Sequence, residues 1–117
     1  MKKIIINGQK KLEGTIRISG AKNAAVAIIP AAILTDEEAT ICNVPEISDI
    51  DSLEEILEFL DIDTKRATET MIINPKNMKN KVIPSEISNK LRASYYFMGA
   101  LLAKYKYVEM NFPGGCK

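Results

Sequence analysis

The chain has 117 residues, 46% hydrophobic and 26% charged, with 16 basic and 15 acidic side chains for a formal net charge of +1. That length suits one domain of about 100 to 150 residues with its own core, and the interspersed charges exclude the basic footprint of a nucleic-acid or membrane-surface binder. Two distant cysteines, Cys42 and Cys116, and no histidine exclude a zinc site and a Cys-His nucleophile pair, so neither metal nor cofactor is expected.

Met1 to Lys11 is charged and only briefly apolar, unlike a signal peptide. Ile4 to Asn7 and Thr15 to Ser19 are short β-rich runs punctuated by Gly8 and Gly14, and they predict two early strands. Ala21 to Leu34 is rich in alanine and isoleucine on nearly every face, which predicts a helix enclosed by protein. Pro30 predicts a kink or an early end. This longest apolar stretch falls well short of the roughly 20 residues of a membrane helix, and the two distant cysteines fit a reducing, cytoplasmic setting.

Thr40 to Val44 follows as a strand, within which Cys42 is expected to fill the core. A helix then opens at Ser52, with Glu55 completing a capping box and Asp49 or Asp51 able to cap equally well. Its buried stripe is Leu53, Ile56, Leu57 and Leu60. Asp63 to Arg66 and Thr70 to Asn74 predict a hairpin around Ala67 to Glu69. A last helix is predicted from about Ser85 or Ile87 to Lys104, with Leu91, Tyr95, Met98, Leu102 and Tyr105 as its apolar stripe and Gly99, Ala100 and Ala103 admitting a close neighbour. Tyr107 to Phe112 reads as a strand delivering Pro113-Gly114-Gly115-Cys116. The order β-β-α-β-α-β-β-α-β predicts an α/β or α+β layer architecture. A strand, helix, strand, helix, strand, strand unit spans Thr15 to Asn74, and a second unit starts after it.

Chemistry-bearing residues gather at four places. Gly20-Ala21-Lys22-Asn23 opens the apolar helix, where free amides and the positive dipole end attract anions. Lys22 is there either a solvated first-turn residue or part of an anion site, and Asn23 either a local cap or a ligand contact. Asp49 and Asp51 are helix caps, or a base or hydroxyl contact. Arg92 is a surface arginine or a fork-shaped clamp on phosphate or carboxylate. Gly114 and Gly115 let the chain reverse and present Cys116 at a loop tip, as an ordinary thiol or a reactive one.

Taken in order, Gly20-Ala21-Lys22-Asn23-Ala24-Ala25, Asn43-Val44-Pro45 with Asp49 and Asp51, Leu91-Arg92-Ala93-Ser94 and Pro113-Gly114-Gly115-Cys116 resemble the N-terminal part of the UDP-N-acetylglucosamine enolpyruvyl transferases. The resemblance covers essentially the whole chain. It implies an inside-out barrel of repeated β-α-β-α-β-β units around buried helices, incomplete here, with residues 1–19 belonging to a second domain and residues 20–117 to an incomplete first one. It also implies transfer of the enolpyruvyl group of phosphoenolpyruvate to the 3-hydroxyl of UDP-N-acetylglucosamine, through a tetrahedral ketal, in the first committed step of peptidoglycan synthesis.

On this resemblance Cys116 is the catalytic loop thiol, which protonates the phosphoenolpyruvate methylene and is alkylated by fosfomycin. Lys22 and Asn23 contact phosphoenolpyruvate, Arg92 lines the nucleotide-sugar region and Asp49 supports. The sister enolpyruvylshikimate-phosphate synthases share the fold and the early lysine but lack the cysteine loop. Lys117 and Val26-Ala27 depart from the family's usual residues without touching the implied contacts. The family's residues beyond the loop are missing, so the expectation is that this chain is inactive alone. The alternatives are a non-catalytic truncated product or a small α/β module binding a phosphate-bearing ligand.

Overall fold

A computed structural model describes residues 1–111. Helix α1, Lys22–Ala31, ends one residue after Pro30 and tightens into a 3₁₀ turn, Ala32–Leu34. This is the early end expected where proline withdraws a backbone donor. Strand β1, Ala39–Cys42, leads to helix α2, Ser48–Phe59. Strands β2, Asp63–Ala67, and β3, Thr70–Asn74, then form a hairpin turning on Thr68 and Glu69. A short helix α3, Ser85–Ser88, and a 3₁₀ turn, Arg92–Tyr95, precede α4, Tyr96–Tyr105.

The sheet is antiparallel with β3 central, in the order β1-β3-β2. Ala39 pairs with Ile73 and Ile41 with Met71, so side chains of one parity meet the helices. Met71 and Ile73 are fully buried there beside Ile29 and Ile33 from the α1 segment, Leu53, Ile56 and Leu57 of α2, and Phe97 and Leu101 of α4. Burying each such side chain is worth about 1.5 to 3 kcal/mol. Lys104, its side chain only 15% exposed, ties α4 to the end of the 3₁₀ turn, its Nζ donating to Ile33 O at 2.9 Å, Thr35 O at 3.1 Å and Asp36 Oδ1 at 2.8 Å.

Several expectations are corrected. The segments 4–7 and 15–19 form no strand: their isoleucines are exposed, and no strand among the described residues pairs with them. An extended run without a ladder partner cannot satisfy its backbone as a sheet. Every residue from 1 to 19 is exposed, and the radius of gyration is 17.1 Å against about 13 Å for a compact chain of this size. Helix α1 is covered on one face only, through Ala25, Val26, Ile29 and Pro30, whereas Ile28 is 50% exposed.

Cys42 is exposed rather than core-filling, because strand alternation carries it with Thr40 to the sheet face away from the helices. Helix α2 opens at Ser48, one turn before the predicted cap, and no side chain caps it. Ser52 therefore lies within the helix and donates back to Ser48 O at 3.3 Å.

The last predicted helix is broken. Leu91 takes an extended conformation, φ −142° and ψ 118°, which resets the helical phase. The buried stripe of α4 is consequently Phe97, Ala100 and Leu101, while Tyr95 and Leu102 are largely exposed and Gly99 faces open space. Of the strand predicted at Tyr107 to Phe112, a single parallel bridge between Met110 and Ile83 is present among the described residues.

Candidate functional site

The site begins at Gly20, where the chain enters α1. A Cβ there would lie 1.7 Å from Asn43 O and 3.3 Å from Pro45 Cδ, so only glycine lets this backbone meet the β1–α2 connection. Asn43 bends that connection with φ 59°, a left-handed conformation that asparagine tolerates better than most residues. Val44 is buried, and its amide donates to Glu69 O at 2.9 Å, which fixes the bend against the hairpin turn. Two motifs distant in sequence are thereby locked side by side.

Their contact sets two helix starts next to each other. Lys22 is the first residue of α1 and Asp49 the second of α2. Lys22 Nζ lies 2.5 Å from Asp49 Oδ2, with the lysine side chain 56% and the aspartate 23% exposed. Oδ2 is buried and accepts no well-directed hydrogen bond, so the contact is a charge pairing. Asp49 suits the positive end of the α2 dipole, whereas Lys22 opposes that of α1 and needs a counter-charge there. A half-exposed pair of this kind contributes at most about 1 kcal/mol to stability.

The reading of Asp49 and Asp51 as caps gives way to pairing. Ile47 is the N-cap of α2 and no side chain caps the helix. Asp49 turns to Lys22, and Asp51 pairs with Arg66, which also reaches Glu54 Oε2 at 3.4 Å. The hydrogen bond that Arg66 donates to Asp51, against some desolvation and with help from Glu54, holds the guanidinium above its already high ordinary pKa. Glu54 in turn accepts from Thr64 Oγ1 at 3.0 Å. This second cluster fastens α2 to β2.

The N-terminus of α1 is open. Ala21 is its N-cap and offers no side-chain acceptor, and Ala25 N donates to Ala21 O at 3.1 Å as the first intrahelical bond. The amides before it, Lys22 to Ala24, are not capped by any side chain, and Asn23 is exposed and does not serve as the cap. A lysine ammonium beside uncapped first-turn amides is an arrangement that takes a phosphate or carboxylate.

Arg92 stands at the start of the second 3₁₀ turn, exposed, and its guanidinium makes no hydrogen bond or ion pair with another described residue. The structure thus brings Lys22 and Asp49 together, leaves Asn23 exposed beside Lys22 in the first turn of α1, and places Arg92 on the segment leading into α4, which packs on α1. Cys116, with Pro113 to Gly115, lies outside the described residues. Among the described residues there is no cluster of His, Cys, Asp and Glu that could hold a metal, and no helix is long and apolar enough to cross a membrane. The clamp of Gly20 on Asn43 went unread in the sequence, although an asparagine just after a short strand is a signal for a left-handed bend.

The chain is 51% identical over 116 residues to UDP-N-acetylglucosamine 1-carboxyvinyltransferase 2 of Streptococcus thermophilus strain CNRZ 1066, a match covering 99% of this chain and 28% of that protein. It is 49% identical to the corresponding enzyme 1 of Streptococcus agalactiae serotype Ia and 47% identical to that of Streptococcus pneumoniae serotype 2 strain D39, with the same coverage. It therefore spans a little over a quarter of the length of these relatives. The crystal structure of the enolpyruvyl transferase NikO from Streptomyces tendae superposes with a TM-score of 0.73 at 24% identity, over 84% of this chain and 23% of that one, which establishes the fold. The family profile of EPSP synthase (3-phosphoshikimate 1-carboxyvinyltransferase) matches residues 6–117. From residue 6 to residue 117, this chain belongs to the EPSP synthase family.

Proposed function

We propose that this chain supplies the phosphoenolpyruvate-anchoring portion of a UDP-N-acetylglucosamine 1-carboxyvinyltransferase, a cytoplasmic enzyme of peptidoglycan synthesis. The observation that carries the reading is the pairing of Lys22 with Asp49 at the uncapped start of α1. The names of relatives about half identical along the whole chain support the choice of sugar nucleotide over shikimate phosphate as acceptor. So does the Pro113-Gly114-Gly115-Cys116 run.

In this reading Asp49 and the substrate are alternative counter-ions for Lys22. Without ligand, Asp49 pairs with the ammonium of the first residue of α1 and offsets its repulsion from the helix dipole. When phosphoenolpyruvate arrives, Lys22 and the amides around Asn23 take its anionic groups, and Asp49 yields the ammonium to them. The sugar 3-hydroxyl gives up its proton to a base from the remainder of the enzyme and adds to C2 of phosphoenolpyruvate while C3 gains a proton from Cys116, giving the tetrahedral ketal. Loss of phosphate and of a proton from C3 then re-forms the C2–C3 double bond, leaving the enol ether product. Arg92 contributes to the nucleotide-sugar side, where a guanidinium grips phosphate oxygens in pairs. Residues 1–19 belong to a second domain, a division supported by their contributing nothing to the core.

Calorimetric titration of the chain with phosphoenolpyruvate tests the proposal. Saturable binding that Lys22→Met abolishes is the expected result. Binding indifferent to Lys22, or none at concentrations that saturate the relatives, would contradict it.

A further inference from the structure

The hairpin turn holds an anomaly. Strands β2 and β3 pair Ala67 with Thr70, leaving Thr68 and Glu69 as a two-residue loop. Glu69 has φ 54°, whereas a tight turn with a left-handed second residue takes glycine or asparagine there. A long charged side chain in that conformation is disfavoured and persists where something else holds it. Two contacts converge on Glu69. Its carbonyl accepts the amide of Val44 at 2.9 Å. Its carboxylate, 23% exposed, accepts from Arg17 Nη2 at 2.5 Å.

Arg17 lies in the segment that adds nothing to the core, and this ion pair bridges that segment to the body of the fold. A cleft of about 340 Å³ opens where they meet, lined by Arg17, Ser19, Pro45, Glu46, Ile47, Thr68 and Glu69. The strap and the proposed anion site share one joint, because Gly20, which follows residues 15–19, is the residue clamped on Asn43.

We propose that Glu69 is a latch: it occupies a position suited to glycine so that its carboxylate can hold Arg17, fastening the strap of residues 15–19 across the cleft, and release of this pair frees the strap to pivot at Gly20. Charge pairing is what holds the strap, since its isoleucines, Ile16 and Ile18, are more than 80% exposed. The latch rests on the domain division proposed above and makes it mechanical, by naming the contact that must break when the two parts move.

The test uses the 117-residue chain without ligand, so its outcome is separate from that of phosphoenolpyruvate binding. Backbone ¹⁵N heteronuclear NOEs of residues 15–19 report the order of the strap, and the melting temperature reports the body. In Glu69→Gln and Arg17→Gln the NOEs fall towards those of a free terminus, and they fall likewise in the wild type at about 1 M salt, where the screening length shrinks to about 3 Å. Arg17→Glu combined with Glu69→Arg restores them. In Glu69→Gly the strap loosens while the melting temperature holds or rises, because glycine relieves the left-handed position. Unchanged NOEs in the single variants, or a melting temperature that falls together with strap order in Glu69→Gly, would overturn the latch.

Discussion

Lys22 Nζ and Asp49 Oδ2 stand 2.5 Å apart, joining the first residue of α1 to the first turn of α2. The pair exists because Gly20 lets the backbone touch Asn43, which brings the two helix starts together. In Asp49→Asn, Lys22 loses its counter-charge at the positive end of α1, and stability falls by about 0.5 to 1 kcal/mol in urea unfolding. Phosphoenolpyruvate then stabilises the variant more than the wild type, since the ligand replaces the missing carboxylate. Equal stabilisation of both proteins would speak against shared use of Lys22.

Gly20→Ala places a methyl carbon where Asn43 O now lies, 1.7 Å from the new atom. The connection must move, at a cost of about 3 kcal/mol, and the ion pair shifts with it. Urea unfolding is expected to show the loss, together with weakened phosphoenolpyruvate binding. Wild-type stability in this variant would mean that the close approach is not maintained in solution.

Lys104→Met keeps the length and the apolar stem but removes three charge-assisted contacts to Ile33 O, Thr35 O and Asp36. Two carbonyls at the end of the α1 segment lose their donor, for an expected destabilisation of about 2 kcal/mol. The sensitive measurement is hydrogen exchange across residues 29–34, which should quicken before that of α2.

Asp61 supplies the pH dependence. Its hydrogen bond with Lys81, at 2.8 Å, outweighs desolvation and with help from the charges of Lys81 and Lys79 holds the carboxyl below its ordinary value of 3.8. A depressed carboxyl contributes stability above its unfolded pKa and loses it as pH falls through the folded one. Asp61→Asn should therefore be less stable near neutrality and lose less on acidification from about pH 5 to about pH 2. Melting curves that run parallel for both proteins over this range would deny Asp61 that role.

Local patterns in the sequence announced α1, its early end at Pro30, β1 and the hairpin, because periodicity, proline and turn residues act over a few positions. What they missed depended on distant partners. The isoleucines of 4–7 and 15–19 alternate like strands but find no ladder among the described residues. Leu91 breaks what propensity reads as one helix, moving the buried face to Phe97 and Leu101. Cys42 has the composition of a core residue, yet its parity in β1 sends it outward. At the candidate site Lys22, Asn23 and Asp49 were legible as residues, but the pairing of Lys22 with Asp49 needed the contact of Gly20 with Asn43, which joins positions far apart in the chain.

The most direct test of the central claim is a ¹⁵N-¹H titration of the chain with phosphoenolpyruvate, following the amides of Lys22, Asn23 and Ala24. The account predicts saturable shifts centred on those amides, enhanced in Asp49→Asn and lost in Lys22→Met. Shifts elsewhere, or shifts at these amides that survive Lys22→Met unchanged, would contradict it.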